Sequence, residues 1–490
     1  MGAKRLLFAV VGLSLLSWCA EVGADRAEDM IMELLGENLI SDALYSHPFV
    51  EQYFVGGVGS KYGPQHASPG HSFGVFATQQ AKYGEVLVEM DEQVTWTASG
   101  AAGELVEYGV PEGLVTDLDD YAVFTLLVLL QSGNSQSPTH THLEILSTLA
   151  HLRGGHSPYL SPVTWVARNL QLLQPSHVLS DVEGQQEYVA GLFYALDELL
   201  FQGDRVTFPE CVFNLGEWMN MYASIRAMTF VHPYHLELAL VHFVTAFRHS
   251  TEDHAAVAWD EQGIRVAAAR TLERLEEIRL DYWDLQKQYL LRLVRNDLVE
   301  EDLVRGFKDQ FMDPAYLLLT YGLVPEVPAC VRYTRVVLTV GLHFDDLAVK
   351  AFLMADLLEM PDVDIDQMTA SAVVRSEGLP ERLMMLSRML SLKFRELDGE
   401  VPEQLATGKM LSLDNELRAT RRVLRVLELQ LARYLDPAPV ILEQLAHVEE
   451  LRAAKEPVAA MALLAAEQLC LEQAIANVRS HWSSILLQAQ

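Results

Sequence analysis

The sequence predicts an α+β protein in which a β-rich part is interrupted by a helical insert and followed by an all-helical C-terminal domain. Three patterns carry that expectation. Short apolar runs at Ala256–Asp260 and Ile264–Ala268 flank Glu261-Gln262-Gly263, which fits a tight β-hairpin. Between Thr95 and Gly216 the apolar residues recur near every 3.6 positions, the α-helical period, in stretches broken by Gly, Ser and Pro. From Asp345 to Gln490 the pattern is helical almost throughout.

Taken in order, residues 1–24 have the parts of a secretory signal peptide: Lys4-Arg5, an apolar run from Leu6 to Trp18, and small residues at Val22-Gly23-Ala24. Residues 54–94 hold strand-like Val75–Ala77 and Glu85–Glu89 around a turn at Lys82-Tyr83-Gly84. The insert, residues 95–216, shows helical spacing over 121–130, 143–152, 163–173 and 185–201. Residues 217–340 return to mixed structure with the hairpin, a strand at Ile278-Arg279-Leu280-Asp281-Tyr282 and another at Tyr333–Val340. Over 268–280 the spacing of Ala268, Leu272, Leu275 and Leu280 also permits an amphipathic helix, and local propensity favours it. In residues 345–490, Leu424, Leu427, Leu431 and Leu435 fall at the spacing of a packing face.

Composition narrows the function classes. Lys and Arg number 36 against 67 Asp and Glu in 490 residues, a formal net charge of −31. Such a surface repels phosphates and favours basic partners, so a nucleic-acid binder is not expected. No segment after the signal reads as membrane-spanning. The cysteines Cys19, Cys211, Cys330 and Cys470 are too widely spaced for a disulfide framework or a zinc cluster. His140-Thr141-His142 and His232-x-x-His235 have ligand-like spacing without further ligands, and read as surface or capping histidines. No phosphate-binding Gly-rich loop and no Gly-x-Ser-x-Gly elbow occurs.

The order of several short motifs resembles the SET-domain methyltransferases, in the branch of the Rubisco large-subunit lysine methyltransferase and the actin-histidine methyltransferase. Ser72-Phe73-Gly74-Val75 with Gly84-Glu85-Val86-Leu87 is similar to the opening of that domain. Trp218 and Arg226 keep the branch's interval. Arg248-His249, Leu275-Glu276-Glu277-Ile278 and Tyr282-Trp283 stand where the branch has Asn-His, Gly-Glu-Glu-Ile and Tyr-Gly. Asp313–Val324, containing Leu317-Leu318-Leu319-Thr320-Tyr321-Gly322, is similar to its Leu-Leu-Leu-x-Tyr-Gly segment.

The resemblance implies S-adenosyl-L-methionine as cofactor, held by Ser72, Phe73, Gly74, Arg226, Arg248 and His249, with Tyr282 and Tyr321 as the catalytic tyrosines and no metal. Gly74, Arg226 and Tyr282 would then converge on one methyl-donor pocket. The implied reaction is methyl transfer to a lysine, less readily a histidine, of a protein with an exposed lysine or basic segment. Ser72, Arg248 and Trp283 replace family residues. They favour the alternative, a catalytically silent relative that grips a basic peptide.

Overall fold

The structure is a computed structural model describing residues 58–60, 75–77, 80–91, 95–132, 161–241, 247–250, 254–260, 263–273, 276–296, 301–342, 363–364, 369–396, 401–446 and 455–488. The signal segment 1–24 and the residues Ser72, Phe73 and Gly74 lie outside them. The chain divides into two units, one comprising Gln185–Lys308 with the residues up to Thr164, the other Trp165–Gly184 and Asp309–Gln490.

In the first unit the strands are β1 (Val58–Ser60), β2 (Val75–Ala77), β3 (Val86–Asp91), β4 (Thr95–Thr97), β5 (Thr229–Val231), β6 (Leu238–Val241), β7 (Arg248–His249), β8 (Ala255–Asp260), β9 (Gly263–Ala268) and β10 (Glu277–Leu280). A seven-stranded sheet runs β1-β2-β10-β8-β9-β3, with β7 pairing β10, and a three-stranded sheet runs β4-β6-β5. The expected hairpin is β8–β9. Its directly opposed pairs Ala255↔Ala268, Val257↔Val266 and Trp259↔Ile264 are all buried, so one face of the hairpin supplies core while the alternate residues do not. Gly263 opens β9 at φ 138°, a conformation that residues with a Cβ rarely adopt.

Among the described residues of 268–280 the permitted helix does not form. β9 ends at Ala268, Leu272 exchanges backbone hydrogen bonds of 3.0 and 2.9 Å with Ala81, and β10 pairs with both β2 and β8. Leu272, Ile278 and Leu280 are fully buried by these pairings, and tertiary burial overrides the helical propensity of the segment.

The helices of this unit include α1 (Ala98–Glu107), α2 (Asp120–Ser132), the greater part of α3 (Val178–Leu196), α4 (Leu215–Met228), α5 (Tyr282–Arg295) and most of α6 (Glu301–Phe311). Thr97 caps α1 by accepting the Gly100 amide at 3.2 Å, and Asn214 caps α4 by accepting that of Glu217 at 3.1 Å. α4 is anchored through Trp218, wholly buried, whose indole N–H donates to the Val189 carbonyl at 3.1 Å. Phe201, Phe208 and Phe213 pack with one another at ring centroids 5.0–5.3 Å apart, and Phe193 stands between Phe201 and Trp218 at 5.9 and 6.4 Å. The expected strand 278–282 is shorter than its alternation suggested. β10 stops at Leu280, and Asp281 turns the chain into α5, so Tyr282 is the first residue of a helix and not the last of a strand.

The second unit contains α7 (Pro314–Tyr321), β11 (Arg335–Gly341), β12 (Val363–Asp364), β13 (Thr369–Arg375), α8 (Glu381–Leu390), α9 (Leu413–Leu431), α10 (Ala438–Ala446) and α11 (Lys455–Gln488). After Asp345 the described residues are mostly helical, with one addition: β13 pairs antiparallel with β11 over seven residues and with β12 over two. Val336, Leu338 and Val340 oppose Val374, Ala372 and Ala370 on one buried face, closed by α8, α9 and α11. α11 is long and apolar enough by composition to cross a membrane, but Leu463, Ala466, Cys470, Leu471, Ala474 and Val478 are buried in this unit's core. Within the same unit Trp165, Leu170, Leu173, Val178 and Val182 form a second cluster with Ala315, Leu318, Ala460 and Leu463.

The expected packing face of α9 is kept at Leu427, fully buried, with Leu424 and Leu431 packed against the core. It fails at Leu435, which is 97% exposed. The helix ends at Leu431, so helical spacing no longer applies, and Tyr434 turns inward instead.

Candidate active site

Tyr282 sits at the junction where β10 passes into α5, and it is held at both ends. Its phenol donates to the backbone carbonyl of Phe247 at 2.6 Å. Its backbone N–H donates to Nδ1 of His249 at 3.2 Å. Both anchors belong to one short segment that includes β7, which is set in register by the parallel pairs Arg279↔Arg248 and Leu280↔His249. Phe230, on β5, meets the Tyr282 ring edge-on at 6.2 Å, and the His249 ring lies 5.2 Å from it. Tyr282, Phe247 and Phe230 are buried, so the hydroxyl is in an apolar surround where an oriented dipole is strong.

The first two amides of α5 have no intrahelical acceptor. His249 satisfies the first, and the Asp281 carboxylate satisfies the second by accepting from Trp283 N at 3.0 Å. Burial raises Asp281 to about 6, against the pull of the Trp283 amide, with Asp284 adding to the rise and Lys308 and Lys287 opposing it. Burial lowers His249 to about 4, with the Leu280 carbonyl opposing. Nδ1 of His249 and the Asp281 carboxylate approach to 3.9 Å, but with the imidazole neutral at neutral pH this is not an ion pair. Among the described residues, Nε2 of His249 is buried without a hydrogen-bond partner. Ser250 N donates to the Leu280 carbonyl at 3.0 Å, so alternation turns the amide and carbonyl of His249 away from β10.

Of the residues predicted from sequence, the structure brings Tyr282 and His249 together. Arg226 lies in the last turn of α4, half-buried, four residues before Phe230. Its Nη1 donates to Oε1 of Gln185 at 2.6 Å, and its guanidinium lies 5.9 Å from the Tyr121 ring centroid. Arg248 is fixed at the backbone by β7. Tyr321 belongs to the second unit, where it ends α7 and packs with Phe311 and Tyr316 at 5.9 and 6.5 Å. α7 is capped as its sequence implies: Asp313 accepts the Ala315 amide at 3.2 Å, and Gly322 takes the left-handed conformation at φ 64°. Asp313 also accepts from Nε of Arg335 at 2.7 Å. Ser72, Phe73 and Gly74 lie outside the described residues, so of the expected convergence only Arg226 and Tyr282 are seen, both in the first unit. His232 is a capping histidine, its Nδ1 accepting from the Tyr234 and His235 amides at 3.2 and 3.1 Å, but a buried rather than a surface one.

Two participants had been missed. Phe247 acts through its carbonyl, which leaves no mark on residue type. Asp281 had a legible signal, since an aspartate directly before a charged helical stretch is a common N-cap.

Taken together, the two units have the fold of a SET domain with the C-terminal domain found in the Rubisco large-subunit methyltransferase (LSMT). Residues 351–473 match the family described as Rubisco LSMT substrate-binding. The structure is similar to the SET domain of LSMT bound to lysine and AdoHcy, with TM-score 0.64 and 16% identity over 91% of this chain and 92% of that one. It is similar also to Rubisco LSMT bound to AdoMet, with TM-score 0.64 and 17% identity over 91% of this chain and 93% of that one. A further similar structure, at TM-score 0.64 and 17% identity over 91% of this chain and 93% of that one, is Rubisco LSMT bound to sinefungin and monomethyllysine. At such identity the agreement is one of fold. No curated protein matches the sequence.

Proposed function

We propose that this protein transfers a methyl group from S-adenosyl-L-methionine to a lysine side chain of a protein substrate. The observation that supports this most is the buried Tyr282 phenol, fixed on the Phe247 carbonyl, in a fold that follows methyltransferase structures over 91% of the chain.

The chain's own groups suit the cofactor. The Arg226 guanidinium, with Nη1 on Gln185, has the planar fork that pairs with a carboxylate. The outward-turned amide and carbonyl of His249 suit the edge of an adenine. When bound, the sulfonium supplies an activated methyl group. Direct displacement requires no metal, so alignment carries much of the acceleration, on the order of 7–11 kcal/mol in well-oriented systems.

A free lysine, with pKa about 10.4, is mostly charged at neutral pH. The apolar surround of Tyr282 disfavours the ammonium form, and the phenol oxygen, whose proton is engaged by Phe247, offers its lone pairs to an amine N–H. Tyr321 is the second tyrosine by resemblance. The surplus of 67 acidic over 36 basic residues favours a basic partner.

A second reading, a silent relative that binds a basic peptide, is favoured by Trp283, buried next to Tyr282, and by the contacts Arg226 already makes. Isothermal titration with S-adenosylmethionine, followed by transfer of labelled methyl to basic proteins, separates the two. Absence of cofactor binding sinks the enzyme, and methyl incorporation into lysine sinks the silent relative.

A further inference from the structure

We propose that the outer face of α9, in the second unit, is a docking site for a short acidic peptide segment, one that presents two carboxylates and an apolar side chain along an extended chain. Methyl transfer in the first unit has no part in it.

Local charge here runs against the sign of the whole. In a chain with 67 acidic and 36 basic residues, α9 carries Arg418, Arg421, Arg422 and Arg425 within eight positions. Arg418 is neutralised inside the fold, by Glu396 at 2.6 Å and by Asp414. Arg422 reaches the Leu390 carbonyl at 3.5 Å, which leaves its charge uncompensated. Among the described residues neither Arg421, Arg422 nor Arg425 meets a carboxylate. Glu428, the next acidic residue along the helix, is taken by Arg479 at 2.8 Å.

The helix itself does not call for these charges. Like charges four positions apart, as in Arg421 and Arg425, destabilise a helix. Cations favour the helix dipole in the last turn, where α9 has no basic residue. Arg421 and Arg425 are exposed, so neither fills the core.

Spacing points to the occupant. Arg421, Arg425 and Leu429 stand at i, i+4 and i+8, with Leu429 59% exposed, and so line one side of the helix in steps of about 6 Å. Trp482 of α11 flanks one end, the Arg421 guanidinium lying 5.5 Å from its ring centroid. Alternate residues of an extended peptide are about 6–7 Å apart on one side. Carboxylates at its first and third positions therefore meet Arg421 and Arg425, whose planar forks pair with two oxygens, and an apolar fifth residue meets Leu429. A nucleic acid or an anionic membrane would extend past the Debye length of about 8 Å over a chain of net charge −31. A five-residue segment stays within reach of the arginines.

Fluorescence anisotropy with the full chain and a labelled Glu-Ala-Glu-Ala-Leu peptide is expected to show saturable binding that weakens as salt is raised. Arg421→Gln combined with Arg425→Gln is expected to weaken it about tenfold, and Leu429→Ser a few-fold. Arg433→Gln, past the end of α9, is expected to leave it unchanged. In urea the double variant is expected to unfold no earlier than wild type, because a like-charge pair is gone. No saturation up to about 1 mM, or equal affinity for Glu-Glu-Ala-Ala-Leu, overturns the proposal. So does tighter binding of single-stranded DNA or phosphatidylserine vesicles, or self-association that the double variant abolishes, which would make the occupant a second copy of this chain. A double variant that unfolds markedly earlier gives the arginines a structural role and overturns it as well.

Discussion

Glu467, on α11, is fully buried. It accepts hydrogen bonds from Ser176 Oγ at 2.7 Å and from the Tyr434 hydroxyl at 2.9 Å, and Nδ1 of His177 stands 3.8 Å away. Burial pushes its carboxyl up from 4.5 to about 7, the two hydroxyl donors oppose that, and the Asp313 charge adds to it. Because the folded pKa exceeds the unfolded one, the folded state holds a proton that the unfolded chain has released between those values. The associated stability is complete below about 4.5 and is lost as pH rises through about 7. The gap of about 2.5 pH units, at 1.36 kcal/mol per unit, amounts to roughly 3 kcal/mol. Glu467→Gln keeps the shape and cannot ionise. Urea unfolding of the second unit at pH 5, 6, 7 and 8 is therefore expected to show the variant close to wild type at the lowest pH and about 3 kcal/mol more stable at the highest. His177, held low by burial, and Asp313, raised by burial against Arg335, are common to both proteins and largely cancel in the comparison. A difference independent of pH, or a variant less stable at pH 8, would refute the reasoning.

Tyr282→Phe removes the phenol from the Phe247 carbonyl and is expected to lower stability by about 1 kcal/mol and methyl transfer by about 10²-fold, measured by urea unfolding and by label incorporation, while cofactor still binds. Glu416 accepts from Nε and Nη2 of Arg388 at 2.7 and 2.8 Å and lies 2.9 Å from His481 Nε2, all but sealed from water. Glu416→Leu should cost about 3–5 kcal/mol in the same unfolding assay, and the double change with Arg388→Met should recover most of it, since the isolated buried charge is what destabilises. Trp218→Ala removes a fully buried side chain that also bonds Val189, and a loss of about 3–5 kcal/mol is expected from thermal unfolding.

Much of this fold was legible because its signals are local. The β8–β9 hairpin announced itself by two short apolar runs on either side of Glu261-Gln262-Gly263, and the segment that forms α7 carries its end signals in Asp313-Pro314 and Gly322. The placement of Trp165–Gly184 was not legible, because its partners Ala460 and Leu463 are far along the chain and helical periodicity says only that a face is buried, never against what. The start of α5 was missed for a related reason: Ile278 to Tyr282 alternates as a strand would, and only the capping side chain of Asp281 betrays the switch. His249 was expected among the cofactor-binding residues, and its backbone faces away from β10. The use made of its ring needed the coordinates, since an acceptor for one amide leaves no pattern in sequence.

The second hydrophobic cluster also bears on biosynthesis. Trp165, Leu173 and Val178 leave the ribosome long before Ala460 and Leu463 exist to cover them, and at about 5–20 residues per second that interval is tens of seconds. During it an apolar segment waits uncovered, which makes it a natural station for a chaperone. A fragment expressed without Trp165–Gly184 begins with a hole that no later step can fill.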